Sequence, residues 1–144
     1  MYFAVFACVL TVILCVFVHL TTLRLLNDSV LPRFERHSRT AVGAMVLVAL
    51  VGHLVEIWIF AIAILVVGSL SDRQFAEELE LDGFDAFYYS AVSYTSMGAE
   101  PLQEASLRLL TAIEALTGLI LITWTASFVF IVMQRTWERR QQHR

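Results

Sequence analysis

Lysine is absent from this chain, and all ten of its basic residues are arginine. Charge of either sign is scarce, at 16% of 144 residues, and there are only two cysteines and two prolines. Hydrophobic residues make up 58%, and the mean hydropathy of +0.72 lies well above the balance of a soluble domain. Three apolar stretches take up most of the length. They leave no room within these 144 residues for a separate nucleotide-binding or catalytic module. No enzyme, no cofactor and no nucleic-acid partner is expected. Cys8 and Cys15 stand seven apart on one helix face, with Cα atoms about 10 Å apart, too far for a bridge. They read as small packing residues. No internal repeat or low-complexity segment occurs.

The first apolar stretch, Tyr2 to Leu23, is about 22 residues, or roughly 33 Å of helix against a hydrocarbon core of ~30 Å. It carries no arginine, and no A-x-A site precedes a polar segment, so it reads as a retained span and not a signal peptide. The second, Ala41 to Leu70, and the third, Ala105 to Met133, are about 29–30 residues each, long enough to cross at a tilt.

Between the last two stretches lies FDAFYYSAVSYTSMGAEP, from Phe84 to Pro101. It is a short, aromatic-rich apolar run that ends in hydroxyls, a glycine and an acid. A half-length helix and a glycine loop between two spans describe a chain that dips into the bilayer and returns. Irregular backbone is tolerated at that depth only where it is buried in protein or lines a wet cavity. The expected organisation is an N-terminal transmembrane helix at 1–26, a pore region at 41–134 and a basic cytoplasmic tail at 135–144. The pore region divides into an outer helix at 41–70, an acidic outer loop at 71–84, a pore helix at 85–95, a filter-like loop at 96–101 and an inner helix at 105–134.

Arg24, Arg33, Arg36 and Arg39 fall in the first connection, and Arg135, Arg139, Arg140 and Arg144 in the tail. The positive-inside rule puts both in the cytoplasm, and with three spans the N-terminus lies outside. The loop from Ser71 to Leu109 carries Asp72, Glu77, Glu78, Glu80, Asp82, Asp85, Glu100 and Glu104 against Arg73 and Arg108. Repeated around an axis, it makes a negative funnel that concentrates cations.

Phe87 to Thr95 followed by Ser96-Met97-Gly98-Ala99-Glu100-Pro101 resembles the pore helix and filter of the tetrameric potassium-channel superfamily, in its bacterial two-transmembrane branch. His53-Leu54-Val55-Glu56-Ile57-Trp58 on the outer helix and Leu107 to Gly118 on the inner helix share the resemblance. It covers about Ala41 to Met133, and the first span is an addition. The resemblance implies an all-α membrane protein with three transmembrane helices, a re-entrant pore helix and a filter loop, four copies enclosing a central pore. It implies an ion pathway along Thr95, Ser96, Met97, Gly98, Ala99 and Glu100. Tyr88, Tyr89, Ser93 and Tyr94 would support the filter, with Tyr94 locking it by a hydroxyl bond.

The sequence departs from the family's T-x-G-Y-G-D filter. Ala99 stands at the tyrosine position and Glu100 at the second glycine, where the family backbone takes a left-handed conformation that glycine adopts without steric cost. The order G-A-E-P also resembles the G-E-T-P filter of cyclic-nucleotide-gated channels. Acid rings serve non-selective, sodium-type or calcium-type filters. The expectation is passive flow of potassium, sodium and, with an acid ring, calcium or magnesium, with potassium selectivity relaxed.

His19, His53, Glu56 and Glu114 fall inside apolar helices. An ionisable group there costs a few kcal/mol, on the order of 3, so each should face protein or water. His53 and Glu56 are three apart and form an intramembrane polar pair. Glu114 is expected to accept bonds from pore-helix or filter hydroxyls such as Ser93 or Ser96, bracing the loop from behind. A divalent ion on His53, Glu56 and Glu114 is the competing reading, and hydrogen-bonded bracing without metal is preferred to it. His19 is read as a snorkelling or capping residue near the cytoplasmic end of its span. Gly118 offers a hinge or a packing contact, and Thr117, Thr125 and Ser127 could line a wet cavity.

The sequence thus points to an integral, multi-pass subunit of a bacterial inner (plasma) membrane, working in lipid as a homotetramer. Two rivals remain: a non-conducting structural or lipid-binding subunit, and a proton- or metal-coupled transporter built on His53, Glu56 and Glu114.

Overall fold

The computed structural model describes residues 2–30, 38–71, 83–98, 102 and 104–142. Helix α1 spans Tyr2–Leu25 and runs into a π-helical turn at Leu26–Val30. Helix α2 spans Ser38–Ser71, α3 spans Gly83–Tyr94, and α4 spans Ala105–Gln142. No strand occurs among the described residues. Three of these helices are long and apolar enough to cross a membrane, over Tyr2–Ser29, Val42–Leu70 and Ala105–Gln134. The fold is all-α, a membrane protein's arrangement of three spanning helices with one short helix between the second and third.

α4 continues through Gln142, so most of the expected tail at 135–144 is the last turns of the inner helix. The physical reason is local: nothing after Met133 breaks a helix, and glutamine, arginine and glutamate favour one. α3 begins at Gly83, two residues before the expected Asp85, which sits in its first turn. Of the acidic outer loop at 71–84, residues 72–82 lie outside the described residues.

α1 packs on α2 and α4, and α3 lies against α2 and α4, its backbone away from that of α1. The stripe of α1 that faces inward is Ala4, Cys8, Thr11, Cys15, His19 and Leu23, a 3-to-4-residue period on one face. Small side chains at most of these positions allow close approach of the helices, as in other membrane interfaces. Cys8 and Cys15 are buried free thiols within that stripe.

Two apolar clusters form around a polar layer. The larger joins Ala4, Cys8 and Cys15 of α1 to Ile57, Phe60, Ile64 and Val67 of α2, Tyr94 of α3, and Leu107, Leu110 and Leu121 of α4. The smaller contains Leu23, Leu26, Met45, Ala49 and Val132. His19, His53, Glu56 and Thr125 lie along the chain between the residues of these two clusters. Outward faces carry large apolar side chains such as Ile13, Phe17, Leu47, Val51 and Ile120, as lipid or further protein requires.

Candidate functional site: the pore loop and its buried support

α3 has twelve residues, about 18 Å of helix, close to half a bilayer. Its buried face is Ala86, Ser90, Ser93 and Tyr94. The Ser90 hydroxyl reaches the Ile57 carbonyl of α2 at 2.8 Å, and Phe87 stacks on Trp58 with ring centroids 4.8 Å apart. These contacts fasten the short helix to the outer one.

The helix ends in a Schellman cap. The amide of Ser96 bonds the Ser93 carbonyl at 2.9 Å, and the amide of Met97 bonds the Val92 carbonyl at 3.1 Å. This 5→2 and 6→1 pattern requires a left-handed residue at the turn, a position glycine usually fills. Here it is Ser96, with φ 57°, and Gly98 follows with φ 88°. Left-handed residues therefore alternate along Ser96-Met97-Gly98. Met97 is 79% exposed, and Thr95, Ser96 and Gly98 are exposed as well. The remaining filter positions Ala99 and Glu100, with Pro101, lie outside the described residues.

Tyr94, the last residue of α3, is 1% exposed. Its hydroxyl does not return to the loop as expected. It donates to Glu56 Oε2 and lies 3.0 Å from His53 Nδ1. The ring is drawn away because Glu56, wholly buried, needs donors more than the loop does. On its other side the Tyr94 backbone packs on Gly118 of α4, where a Cβ would lie 2.9 Å from Tyr94 Cγ and would also overlap its carbonyl oxygen. Gly118 is thus a contact point for α3 in this fold.

Glu56 collects donors from three helices. His19 Nδ1 lies 3.0 Å from Oε1, His53 Nδ1 lies 2.9 Å from Oε2, and Tyr94 shares Oε2. Both imidazoles donate when their protons sit on Nδ1. His53 Nε2 is then free to accept from the Thr125 hydroxyl of α4, 3.0 Å away. The His19 ring lies 5.4 Å from that of Trp124 and 5.6 Å from that of His53. His19 is only 2% exposed. It neither snorkels nor caps, since its place in the Ala4-Cys8-Thr11-Cys15 stripe turns it inward. That spacing was the signal in the sequence for its burial.

Glu114 is also wholly buried, and it meets a hydroxyl of the short helix, that of Ser90 and not of Ser93 or Ser96. Ser90 is one helical turn nearer the start of α3 than Tyr94, so the brace meets the middle of the pore helix and leaves the loop itself alone. Ser90 Oγ touches both the Ile57 carbonyl and Glu114 Oε1. One hydroxyl hydrogen serves one acceptor, so both contacts bond at once only when Glu114 carries the second hydrogen. Its other oxygen, Oε2, has no hydrogen-bond partner among the described residues.

The trio of the competing metal reading, His53, Glu56 and Glu114, is not brought together. Among the described residues, the ligand atoms that come within 4.8 Å of one another belong to His19, His53 and Glu56, while Glu114 is turned to Ser90 of α3. A two-histidine, one-carboxylate set suits a divalent ion such as zinc, yet both Glu56 oxygens are taken up at hydrogen-bond distances. Tyr89 is within hydrogen-bonding reach of Leu102 and Thr111, at the exit of the loop, whereas Tyr88 is 65% exposed. Thr117 is buried and bonds the Ile113 carbonyl at 2.8 Å. Ser127 bonds the Thr123 carbonyl at 2.9 Å.

A half-length helix thus lies between two spanning helices, ends in left-handed backbone and is gripped from behind. No curated protein and no solved structure matches the chain. Among known families, residues 50–135 match the one described as Ion channel, a stretch that runs from within α2 through the pore loop to Arg135 in α4. With more than half of its length matched, the chain belongs to the ion channel family, as an integral membrane protein.

Proposed function

We propose that several copies of this chain, four by the family resemblance, surround a central pore that passes cations down their gradient. The observation that carries this reading is the break at the end of α3: a helix of half-membrane length stops in a left-handed turn between two helices that can span. Backbone of that kind is stable at such depth against protein or a water-filled path. One loop cannot enclose a channel, so closed rotational symmetry completes it. The spanning window of α4 is only 22% buried within one chain, against 39% for α2, which fits an inner helix that meets other copies and the pore.

Potassium and sodium are the proposed permeant ions, with selectivity relaxed because Ala99 and Glu100 replace the tyrosine and second glycine of the family filter. Glu100 carboxylates at the mouth would attract calcium or magnesium. The arginine distribution supports a cytoplasmic C-terminus and an external N-terminus, and the resemblance to the bacterial two-transmembrane branch supports a bacterial inner membrane.

The test is reconstitution of the purified protein in planar bilayers, with reversal potentials measured under paired potassium and sodium gradients. Cation current without a gradient of any second ion is expected. Current that depends on a proton or metal gradient would assign the transporter reading, and no current for any cation would assign a structural subunit.

A further inference from the structure

We infer that His19, on the helix that precedes the family-matched region, is a positioning residue for the pore loop, so that α1 is a working part of the pore and not only an anchor. The inference rests on the pore reading above and adds to it the regulation of loop geometry by α1.

The backbones of α1 and α3 do not come close to each other among the described residues. The hydrogen-bonded link from α1 to the loop runs through the Glu56 carboxylate. His19 Nδ1 holds Glu56 Oε1 at 3.0 Å, while Glu56 Oε2 accepts from Tyr94. Tyr94 is the last residue of α3, and Thr95, Ser96 and Met97 follow it as its cap. Two bonds therefore separate the His19 ring from the start of the proposed ion path. His53 steadies the same carboxylate at 2.9 Å and is itself fixed by Thr125 of α4. The side chains of His19, Glu56 and His53 are 3%, 0% and 14% exposed, so water does not readily replace a lost donor. Without His19, Glu56 is held through Oε2 alone, so the acceptor that sets the Tyr94 ring is less firmly fixed and the anchor of the loop on that side weakens. Gly118 still holds the Tyr94 backbone on the other.

The geometry makes a distinction that simple packing does not. The working atom is Nδ1, attached directly to Cγ. An asparagine amide nitrogen occupies the same position relative to Cγ and can donate to Oε1. A glutamine amide reaches the Nε2 position, where the structure shows no hydrogen-bond partner among the described residues. Asparagine should therefore substitute for His19, and glutamine should not.

The experiment compares full-length wild type with His19→Ala, His19→Asn and His19→Gln in lipid vesicles. It reads the potassium-to-sodium permeability ratio and, separately, hydrogen exchange at the amides of Thr95, Ser96 and Met97. For His19→Ala and His19→Gln the expected results are a changed ratio and exchange faster by about tenfold or more, the scale of one lost bond to a charged group. His19→Asn should remain near wild type in both, and exchange in residues 4–15 should not change in any variant. Unchanged ratio and exchange in His19→Ala, or asparagine and glutamine behaving alike, would overturn the inference. A chelator that reproduces the His19→Ala exchange pattern in wild type, with zinc restoring it, would overturn it in favour of a metal centre. A wild type that passes no cation, yet shows the expected exchange pattern across the variants, would remove the channel reading and leave the positioning role of His19 standing.

Discussion

Gly118 of α4 and Tyr94 of α3 are in contact so close that only a hydrogen fits between the glycine Cα and the tyrosine backbone. A Cβ on Gly118 would lie 3.0 Å from the Tyr94 carbonyl carbon and nearer still to its oxygen, tighter than backbone tolerates. Gly118→Ala gains about 1 kcal/mol of helix propensity but overpacks a rigid site at a cost of about 1–3 kcal/mol or more. The expected net result is a less stable assembly and a displaced pore helix. Gly43→Ala is the control, since nothing lies within 4 Å of its added Cβ, and it should be neutral or slightly stabilising. Thermal unfolding of the two variants in the same detergent checks this. Equal behaviour would remove the close contact from the account.

Glu114 should tolerate glutamine better than alanine. A glutamine amide donates to Ser90 Oγ while Ser90 keeps its 2.8 Å bond to the Ile57 carbonyl. Alanine removes the group that meets Ser90 and leaves a void in a fully buried place. The loss is expected at about 2–4 kcal/mol for alanine, combining a cavity with a broken buried bond, and under about 1 kcal/mol for glutamine. Oligomer melting by size-exclusion chromatography after graded heating reads the difference. Chelators should change neither variant nor the wild type.

Ser96 occupies a turn that favours glycine. An L-residue in left-handed backbone costs roughly 1–2 kcal/mol, and glycine's extra unfolded-state freedom costs about 0.5–1 kcal/mol. Ser96→Gly should therefore stabilise the end of α3 by up to about 1 kcal/mol, whereas Ser96→Val, β-branched at φ 57°, should destabilise it. Exchange protection of the Met97 amide, bonded to the Val92 carbonyl, should rise in the first and fall in the second. A reversed order would mean that the cap is not what ends α3.

Glu100→Gln tests the proposed acid ring. Attraction among several carboxylates in a narrow mouth is only partly screened at physiological salt. Cation preference over anions is expected to fall, and block by external divalent ions to weaken. Single-channel recording with and without external calcium measures both. Unchanged conductance and block would place Glu100 in bulk water.

The spans, the half-length helix between them and its glycine loop could be read from consecutive residues alone, because hydropathy and helix length are local properties that lipid then enforces. The departures at Ala99 and Glu100 from the family filter were equally plain. The last turns of α4 were legible in principle too, since nothing there stops a helix. What the chain's order did not disclose was the rotation of each helix about its axis, which decides partners. His19 meets Glu56 across 37 positions and His53 meets Thr125 across 72, pairings that arise only when α1, α2 and α4 lock their faces together. Glu114 could have turned to Ser90 or Ser93 on the buried face of α3, or to Ser96 in the turn beyond it. The depth at which α4 crosses α3, set by Gly118 against Tyr94, selected Ser90. Glu56 and Tyr94 likewise found each other only through packing, because a carboxylate sealed among helices takes whichever donors the fold brings within 3 Å, however far apart they stand in the chain.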